Sequence, residues 1–321
     1  MQFTPIREIK GPLSIYDKPR KVRTMREVEV FVKALANITR ETHSSAFRWL
    51  IEGNQCFGRE VIIHLMYYRP RNIDRLRNLR RAIDGDDFKV GDWGPYMPIR
   101  YSPDNIMVVL ANDDLHGFIP IIEDLRHPWG PSTIPFEMPD LYPTSDRGFS
   151  YAQLAAFLGA TRCFKYLVAT EDYAPRDAPC LSFAIAGGEL EIIKECIKHE
   201  PDSPGKYYSF AVTYHRYEVA KWIRNNYAET IHDPFTFEDL IETHNITEFM
   251  IKFERYTTRL DTLNLEELFK STIRAKNLPI FRELAWQIPI SLAKGHELLR
   301  YARLLHSSDI ANLLFDALEQ H

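Results

Sequence analysis

Six arginines lie within 13 residues in the first quarter of the chain, and they form the most chemically distinctive cluster in the sequence. They are Arg69, Arg71, Arg75, Arg77, Arg80 and Arg81. The guanidinium group is always charged, and its planar fork matches pairs of carboxylate or phosphate oxygens. Such a cluster is typical of a surface that binds an acidic protein or a phosphate backbone.

The segment that carries these arginines has helical periodicity. Residues 69–84 are predicted to form a helix with an apolar stripe made of Ile73, Leu76, Leu79 and Ile83. The arginines that point away from this stripe are Arg71, Arg75, Arg77 and Arg81. We expect these four to contact a protein partner with an acidic surface. The alternative is a solvated face that pairs with Asp74 and Asp84 or docks on the second half of the chain.

The charge distribution leaves both of these interpretations open. Residues 1–100 carry 19 Lys+Arg and 12 Asp+Glu, a net charge of +7, whereas residues 101–321 carry 21 and 32, a net charge of −11. The basic half includes a proline-bearing arm at residues 1–24 that we expect to assist partner binding. A nucleic-acid partner is disfavoured because the whole chain has a net charge of −4 and no RNA- or DNA-binding motif accompanies the arginines.

A second candidate surface is a group of tyrosines further along the chain. Tyr207, Tyr208 and Tyr214 are candidate partner-binding residues, because tyrosine is enriched at binding hot spots. Their alternative role is packing in the core or at its rim. A neighbour, Tyr217, takes the place of Leu190, which is predicted to lie in the core of an equivalent helix, and Tyr217 is therefore predicted to be structural.

No constellation of residues predicts catalysis or cofactor binding. The sequence has no nucleotide-binding glycine motif, no nucleophile elbow and no set of kinase motifs. The stretch GHELLR resembles half of a zinc-protease motif, but Arg300 stands where the second histidine is needed. We therefore predict a protein that is not an enzyme and has no cofactor and no metal site.

The cysteine content and the apolar runs bear on location. The four cysteines, Cys56, Cys163, Cys180 and Cys196, include no CxxC pair, and buried free thiols suit a reducing compartment. The longest apolar runs fall short of the roughly 18 residues of a membrane span, and the N-terminus lacks the apolar segment of a signal peptide. We expect no membrane insertion and a cytoplasmic location, with the cytoskeleton as a candidate site of association.

A repeated unit organises the second half of the chain. The stretch FAIAGGELEIIKECI at 183–197 has counterparts at 154–168, 210–224, 240–254, 271–285 and 301–315, with starts 27 to 31 residues apart. A weaker copy lies at 108–122. Each copy has a short apolar helix, a break and a second helix, and the break positions are Gly159, Gly187-Gly188, His215, Asn245, Lys276 and His306.

The physical chemistry of this unit explains why it repeats. Glycine tolerates the backbone conformation that ends a helix, and Glu189 and Glu191 suit the positive N-terminal end of the next helix. One such helix pair cannot bury its apolar face alone, whereas stacked neighbours can. The core of the stack is predicted to include Leu167, Ile193, Cys196, Ile223, Leu284 and Leu314.

The residues of two copies carry a family resemblance. Gly148, the small pair Ala155-Ala156, and Gly159 between the helices resemble an ankyrin repeat, as does GGELEIIKECI at 187–197. The threonine-proline-leucine-histidine signature is absent, and Ser150 to Gln153 occupy its place. More narrowly, residues 105–257 resemble the divergent ankyrin-like domain of unknown function found in trichomonad protein families. The resemblance implies an interaction scaffold and provides no catalytic residues.

These observations together predict an all-α protein with three regions. The regions are the basic arm at 1–24, an N-terminal helical region with its connector at 25–104, and an ankyrin-like helical-hairpin solenoid at 105–321. Two function classes follow: a protein–protein interaction scaffold, or a permanent structural subunit of a larger assembly such as the cytoskeleton.

Overall fold

The structure is a computed structural model that describes residues 25–38, 46, 55–68, 73–84, 106–125, 150–170, 180–199, 202–231, 235–256 and 263–319. All regular secondary structure in these ranges is helical, with no β-strand. The all-α class is therefore confirmed. The basic arm at 1–24 and the connector at 85–104 lie outside the described residues.

Three helices with described bounds precede the repeated units. They are α1 (Met25–Ala36), α2 (Gln55–Tyr68) and α3 (Ile73–Asp84). Each has an apolar face that is buried; in α3 this face includes Leu76 and Leu79. A helix is thus confirmed over 73–84, and residues 69–72 of the predicted helix lie outside the described residues.

In the part of the chain that the structure describes, fourteen further α-helices form seven consecutive pairs, one for each repeat in the sequence. The first helices of the pairs are α4 (Ile106–Ala111), α6 (Tyr151–Leu158), α8 (Leu181–Gly187), α10 (Tyr208–Thr213), α12 (Phe237–Glu242), α14 (Leu265–Arg274) and α16 (Leu292–Leu304). The second helices are α5 (Leu115–Leu125), α7 (Thr161–Ala169), α9 (Leu190–His199), α11 (Tyr217–Asn226), α13 (Ile246–Tyr256), α15 (Leu278–Gln287) and α17 (Ser308–Leu318). We number the pairs 1 to 7 in chain order.

The same left-handed turn joins the two helices of every pair. One residue of each turn has positive φ: Asp113, Gly159, Gly188, His215, His244, Lys276 and His306. In six of the turns this residue donates its N–H to the carbonyl three positions back, and the next residue donates to the carbonyl five positions back. These two bonds define the Schellman motif, which satisfies carbonyls at a helix end. In pair 3, Gly188 makes a single bond to Ala184 instead.

The turns confirm the predicted breaks and correct one of them. In pair 5 the left-handed residue is His244. The predicted break, Asn245, is the next residue and immediately precedes α13. Five of the seven left-handed residues are not glycine, and three of these are histidine. Aspartate and histidine are among the residues enriched in this conformation, because their side chains can bond locally.

The described residues fall into two compact units. The first contains 25–34, 46, 55–62, 235–256 and 263–319; the second contains 35–38, 63–68, 73–84, 106–125, 150–170, 180–199 and 202–231. In the second unit, α4, α6, α8 and α10 contact one another in order, and so do α5, α7 and α9. In the first unit, α12, α14 and α16 do the same, and α15 contacts α17. Consecutive pairs therefore stack within each unit.

The stack buries the predicted core residues. Leu167, Ile193, Cys196, Ile223, Leu284 and Leu314 are all fully buried. Every residue of α6 and of α8 is also buried. These two helices cross so closely that a Cβ atom on Gly187 would overlap the carbonyl oxygen of Ala156. A small residue is needed at this crossing because the two backbones leave no room for a side chain.

Side chains of the turns also link one pair to the next. The Asp113 carboxylate accepts the backbone N–H groups of Arg162 (2.9 Å) and Cys163 (3.1 Å) at the start of α7. In the first unit, the side-chain amide of Asn277 donates to the carbonyl of Ile241 at 3.2 Å. The turn side chains therefore satisfy helix-end backbone groups of a neighbouring pair that would otherwise need water.

Candidate protein-interaction surface

Helix α3 separates buried leucines from a charged surface, as the sequence predicts. Leu76 and Leu79 are fully buried, and Arg75 and Arg81 are exposed. Arg77 is half-buried and engaged in contacts within the chain. The side chains of Ile73 and Ile83, the other two members of the predicted stripe, lie outside the described residues.

The described arginines of α3 differ in their contacts. The guanidinium of Arg75 donates to the carbonyl oxygen of Ile38 at 3.1 Å, just beyond the C-terminal end of α1. A cation at this end of a helix also interacts favourably with the helix dipole. Arg75 therefore has a structural contact, whereas Arg81 extends from the last turn of α3 into solvent. Arg71 lies outside the described residues.

The three candidate tyrosines do not form a shared exposed surface. Tyr208 and Tyr214 are buried, and Tyr207 is half-buried. The Tyr208 hydroxyl accepts a bond from Arg224 at 2.7 Å, and the Tyr214 ring packs edge-on against Phe157 at 5.5 Å. Their placement matches the packing role that the sequence left open.

Tyr207 has a different environment from the other two. Its hydroxyl donates to Asp202 at 2.6 Å, and the Lys206 ammonium lies 5.6 Å from its ring centre. The bonds from Tyr207 and Lys206 hold the pKa of the Asp202 carboxyl below its ordinary value. Tyr217 is buried beside His215, to which its hydroxyl is 2.7 Å away, in accord with the structural role predicted for it.

The histidines and cysteines form no metal site in the ranges that the structure describes. In the GHELLR stretch, His296 is exposed and Glu297 pairs with Lys294 at 2.8 Å. Burial, together with the Asp113 charge, raises the pKa of the Cys163 thiol to about 12. A thiol with this pKa stays protonated and is a poor nucleophile.

A network of ion pairs on α14 and α16 was not predicted from the sequence. Lys270 pairs with Glu266 on its own helix and with Glu297 on α16 at 3.5 Å. Lys294 pairs with Glu266 at 2.8 Å. The four-residue spacing of Glu266 and Lys270 is a sequence signal for such a pair, whereas the bonds between helices depend on how the pairs stack.

No helix within the described ranges has the length and apolar character needed to cross a membrane.

Comparison with known proteins gives one partial match. Residues 177–252, from just before α8 to most of α13, match the model of a family described as a domain of unknown function (DUF3447). No curated protein and no solved structure matches the chain. Over this part of its length, less than half of the chain, the protein is therefore similar to a domain of unknown function.

Proposed function

We propose that this protein is a non-enzymatic scaffold for protein–protein interaction, built as an ankyrin-like helical solenoid. The observation that carries the proposal is the left-handed turn that recurs in all seven helix pairs, with first helices stacked on first helices inside each unit. Stacked helix pairs of this kind create extended surfaces, which repeat proteins use to bind partners.

The partner-binding surface in this proposal is the exposed arginine face of α3. Arg81 is its best-placed member among the described arginines, because it is exposed at the end of the helix. An exposed ion pair within the protein contributes only about 0–1 kcal/mol, so stability is a weak reason for six arginines in one short segment. A guanidinium that loses water at an interface and binds a carboxylate with both nitrogens uses the fork geometry more fully.

The burial of Tyr208 and Tyr214 shifts the proposal away from the first helices of the pairs. In pairs 2 and 3, every residue of the first helix is also buried. In these two pairs the described surfaces that remain for binding are the second helices and the turns, and α3 offers a further surface outside the pairs. The partner in this proposal is a protein with an acidic surface, in the cytoplasm.

The test is affinity capture from the native cell with the full chain, followed by mass spectrometry. Arg81→Glu should leave the circular dichroism spectrum unchanged and reduce partner recovery, mainly by slowing association and most clearly at low salt. The matched control is Arg300→Glu, which makes the same charge change at an exposed position on α16 and should recover partners normally.

Two outcomes would count against the proposal. If Arg81→Glu recovers every native partner at low salt, the α3 face is not the docking surface. If the wild-type protein is found only inside one stable complex and never as a free monomer, it is a permanent structural subunit and not a scaffold for exchangeable partners. Size-exclusion chromatography of the native extract shows whether the protein is a free monomer or is held in a stable complex.

A further inference from the structure

Helix α2 contacts the turns of two helix pairs within the first unit. The Phe57 ring meets the His244 ring edge-on, with ring centres 5.6 Å apart. One turn further along α2, Glu60 pairs with Lys276 at 3.0 Å. His244 and Lys276 are the left-handed residues of pairs 5 and 6. The segment 55–62 is therefore held on two consecutive turns by one ring contact and one ion pair.

The His244 side chain is enclosed where it meets Phe57. Both rings are buried, and the side-chain amide of Asn277 lies 3.5 Å from the Nδ1 atom of His244. Asn277 is itself fixed by its bond to the carbonyl of Ile241. Burial lowers the pKa of His244 from 6.5 to about 4. The enclosed ring is therefore neutral at physiological pH, and a proton on it is strongly disfavoured.

The elements around this ring carry charged side chains. They include Glu60 on α2, Glu242 on α12, Glu248 on α13, and Arg274 and Lys276 of pair 6. Glu60 binds Lys276, and Glu242 binds Arg274 at 3.5 Å. Glu248 is buried and engaged in contacts of its own. The lowered pKa of His244 comes from the loss of water on burial.

We propose that the Phe57–His244 contact and the Glu60–Lys276 ion pair form an acid-released latch, which holds residues 55–62 on the turns of pairs 5 and 6. At neutral pH the uncharged imidazole packs against Phe57 and the latch is closed. A proton binds His244 more tightly when the segment has lifted and water reaches the ring. By linkage, falling pH therefore favours the open state.

The size of the effect follows from one proton. Between the ordinary histidine value of 6.5 and the closed-state value of about 4, the ratio of open to closed molecules should rise up to about 10-fold per pH unit. Opening exposes His244 and Lys276 at the turn surface and frees the Phe57 side of α2. This inference does not depend on the arginine face of α3 and stands whether or not that face binds a partner.

The test is hydrogen–deuterium exchange of the full chain, corrected for intrinsic exchange rates, from about pH 7 to about pH 5. In the wild type, the opening ratio for residues 55–62 should rise as the pH falls, while α14 and α15 stay protected. His244→Asn should remove this slope, because asparagine tolerates the left-handed turn and does not titrate. The control is His306→Asn, which changes the exposed left-handed residue of pair 7 and should keep the wild-type slope.

A charge swap tests the ion pair separately and does not depend on the folding of the histidine variant. Glu60→Lys and Lys276→Glu should each raise the opening ratio at about pH 7, and the double swap should bring it back toward wild type. An unchanged pH slope in His244→Asn would overturn the latch. A double swap that fails to restore closure would also overturn it. The same holds if residues 55–62 exchange only when α14 and α15 exchange with them.

Discussion

The Nε atom of Arg216 donates to the carbonyl oxygen of Ala186 at 2.6 Å, so a side chain of pair 4 caps the C-terminal end of the first helix of pair 3. The stem of the same side chain passes beside Gly188, where a Cβ atom would lie 2.6 Å from the Arg216 Cδ. The Arg216 side chain of one pair therefore occupies the space that a side chain at Gly188 of the preceding pair would need. This contact stabilises the stacking interface rather than either helix pair alone.

Arg216→Ala should lower the free energy of unfolding by about 1–3 kcal/mol, because a charge-assisted bond to a helix-end carbonyl is lost. Urea unfolding followed by circular dichroism measures this loss. Lys221→Ala removes an exposed cation from the same helix pair and should change stability little. Equal effects of the two substitutions would show that the Arg216 contact is not specific.

Asp113→Ala should cost about 0.5–2 kcal/mol, the range for loss of a helix N-cap. The Asp113 carboxylate is the acceptor for the N–H groups at the start of α7, where Ala160 provides no side-chain cap. Asp113→Asn keeps an oxygen acceptor and suits the left-handed turn, so it should cost less. Thermal unfolding of both variants separates the stability that the cap contributes from the stability that the turn contributes. A larger loss of stability in the asparagine variant would contradict the capping role of Asp113.

Leu167→Ala should cost about 2–5 kcal/mol, because this side chain is fully buried between helices and its removal leaves a cavity. The comparison is Leu190→Ala, where the loss should be much smaller. The sequence predicts this residue to be core, but it is 36% exposed, so that prediction is wrong. Chemical unfolding of both proteins in urea gives the difference. A cost below about 1 kcal/mol for Leu167→Ala would mean that the core relaxes into the space.

Gly187→Ala should destabilise the protein by about 1–3 kcal/mol or more, because the added methyl group would meet the backbone of α6. The control is Gly117→Ala in α5, where a Cβ would lie 2.7 Å from the end of the Asp114 side chain, which can move aside. The helix propensity of alanine also offsets part of that cost. If both variants unfold at the same urea concentration, the close crossing of α6 and α8 does not exist in solution.

The Glu266 carboxyl should titrate at about pH 2 in the folded protein, because hydrogen bonds from Lys270 and Lys294 hold its pKa there. For a carboxyl with a lowered pKa, the stabilising charge is present above the unfolded value of 4.5 and disappears as the pH falls toward 2. A carboxyl-carbon NMR titration measures the pKa directly. Lys270→Met and Lys294→Met should each raise it toward the ordinary value, and added salt should do the same because the site is exposed.

The sequence predicts the fold well where local rules decide it. The breaks at Gly159, His215 and Lys276 follow from the spacing of the repeats, and the buried stripe of Ile193 and Cys196 follows from helical periodicity. The break at Asn245 was one residue off, since His244 and Asn245 both tolerate a left-handed backbone and only the hydrogen bonds to the preceding helix decide between them.

The candidate site was harder to predict because it depends on contacts between distant segments. Helical phase places Arg75 on the charged side of α3, but nothing in its neighbourhood indicates that it binds the carbonyl of Ile38, which lies 37 residues earlier. Likewise, composition marks Tyr208 and Tyr214 as binding residues, whereas their burial depends on how α10 packs against its neighbours. The predicted boundary near residue 104 stays a prediction.

The bond between Thr247 and Glu29, at 3.0 Å, joins residues that are 218 positions apart in the chain. A ribosome adds about 5–20 residues per second, so Glu29 emerges about 10–40 seconds before its partner exists. During that interval the Glu29 carboxylate of α1 lacks this partner, although the same helix carries Val28 and Val32, which are buried in the folded protein. Helix α1 therefore lacks this contact until pair 5 has been synthesised, and chaperones that bind exposed apolar segments have their best opportunity in this interval.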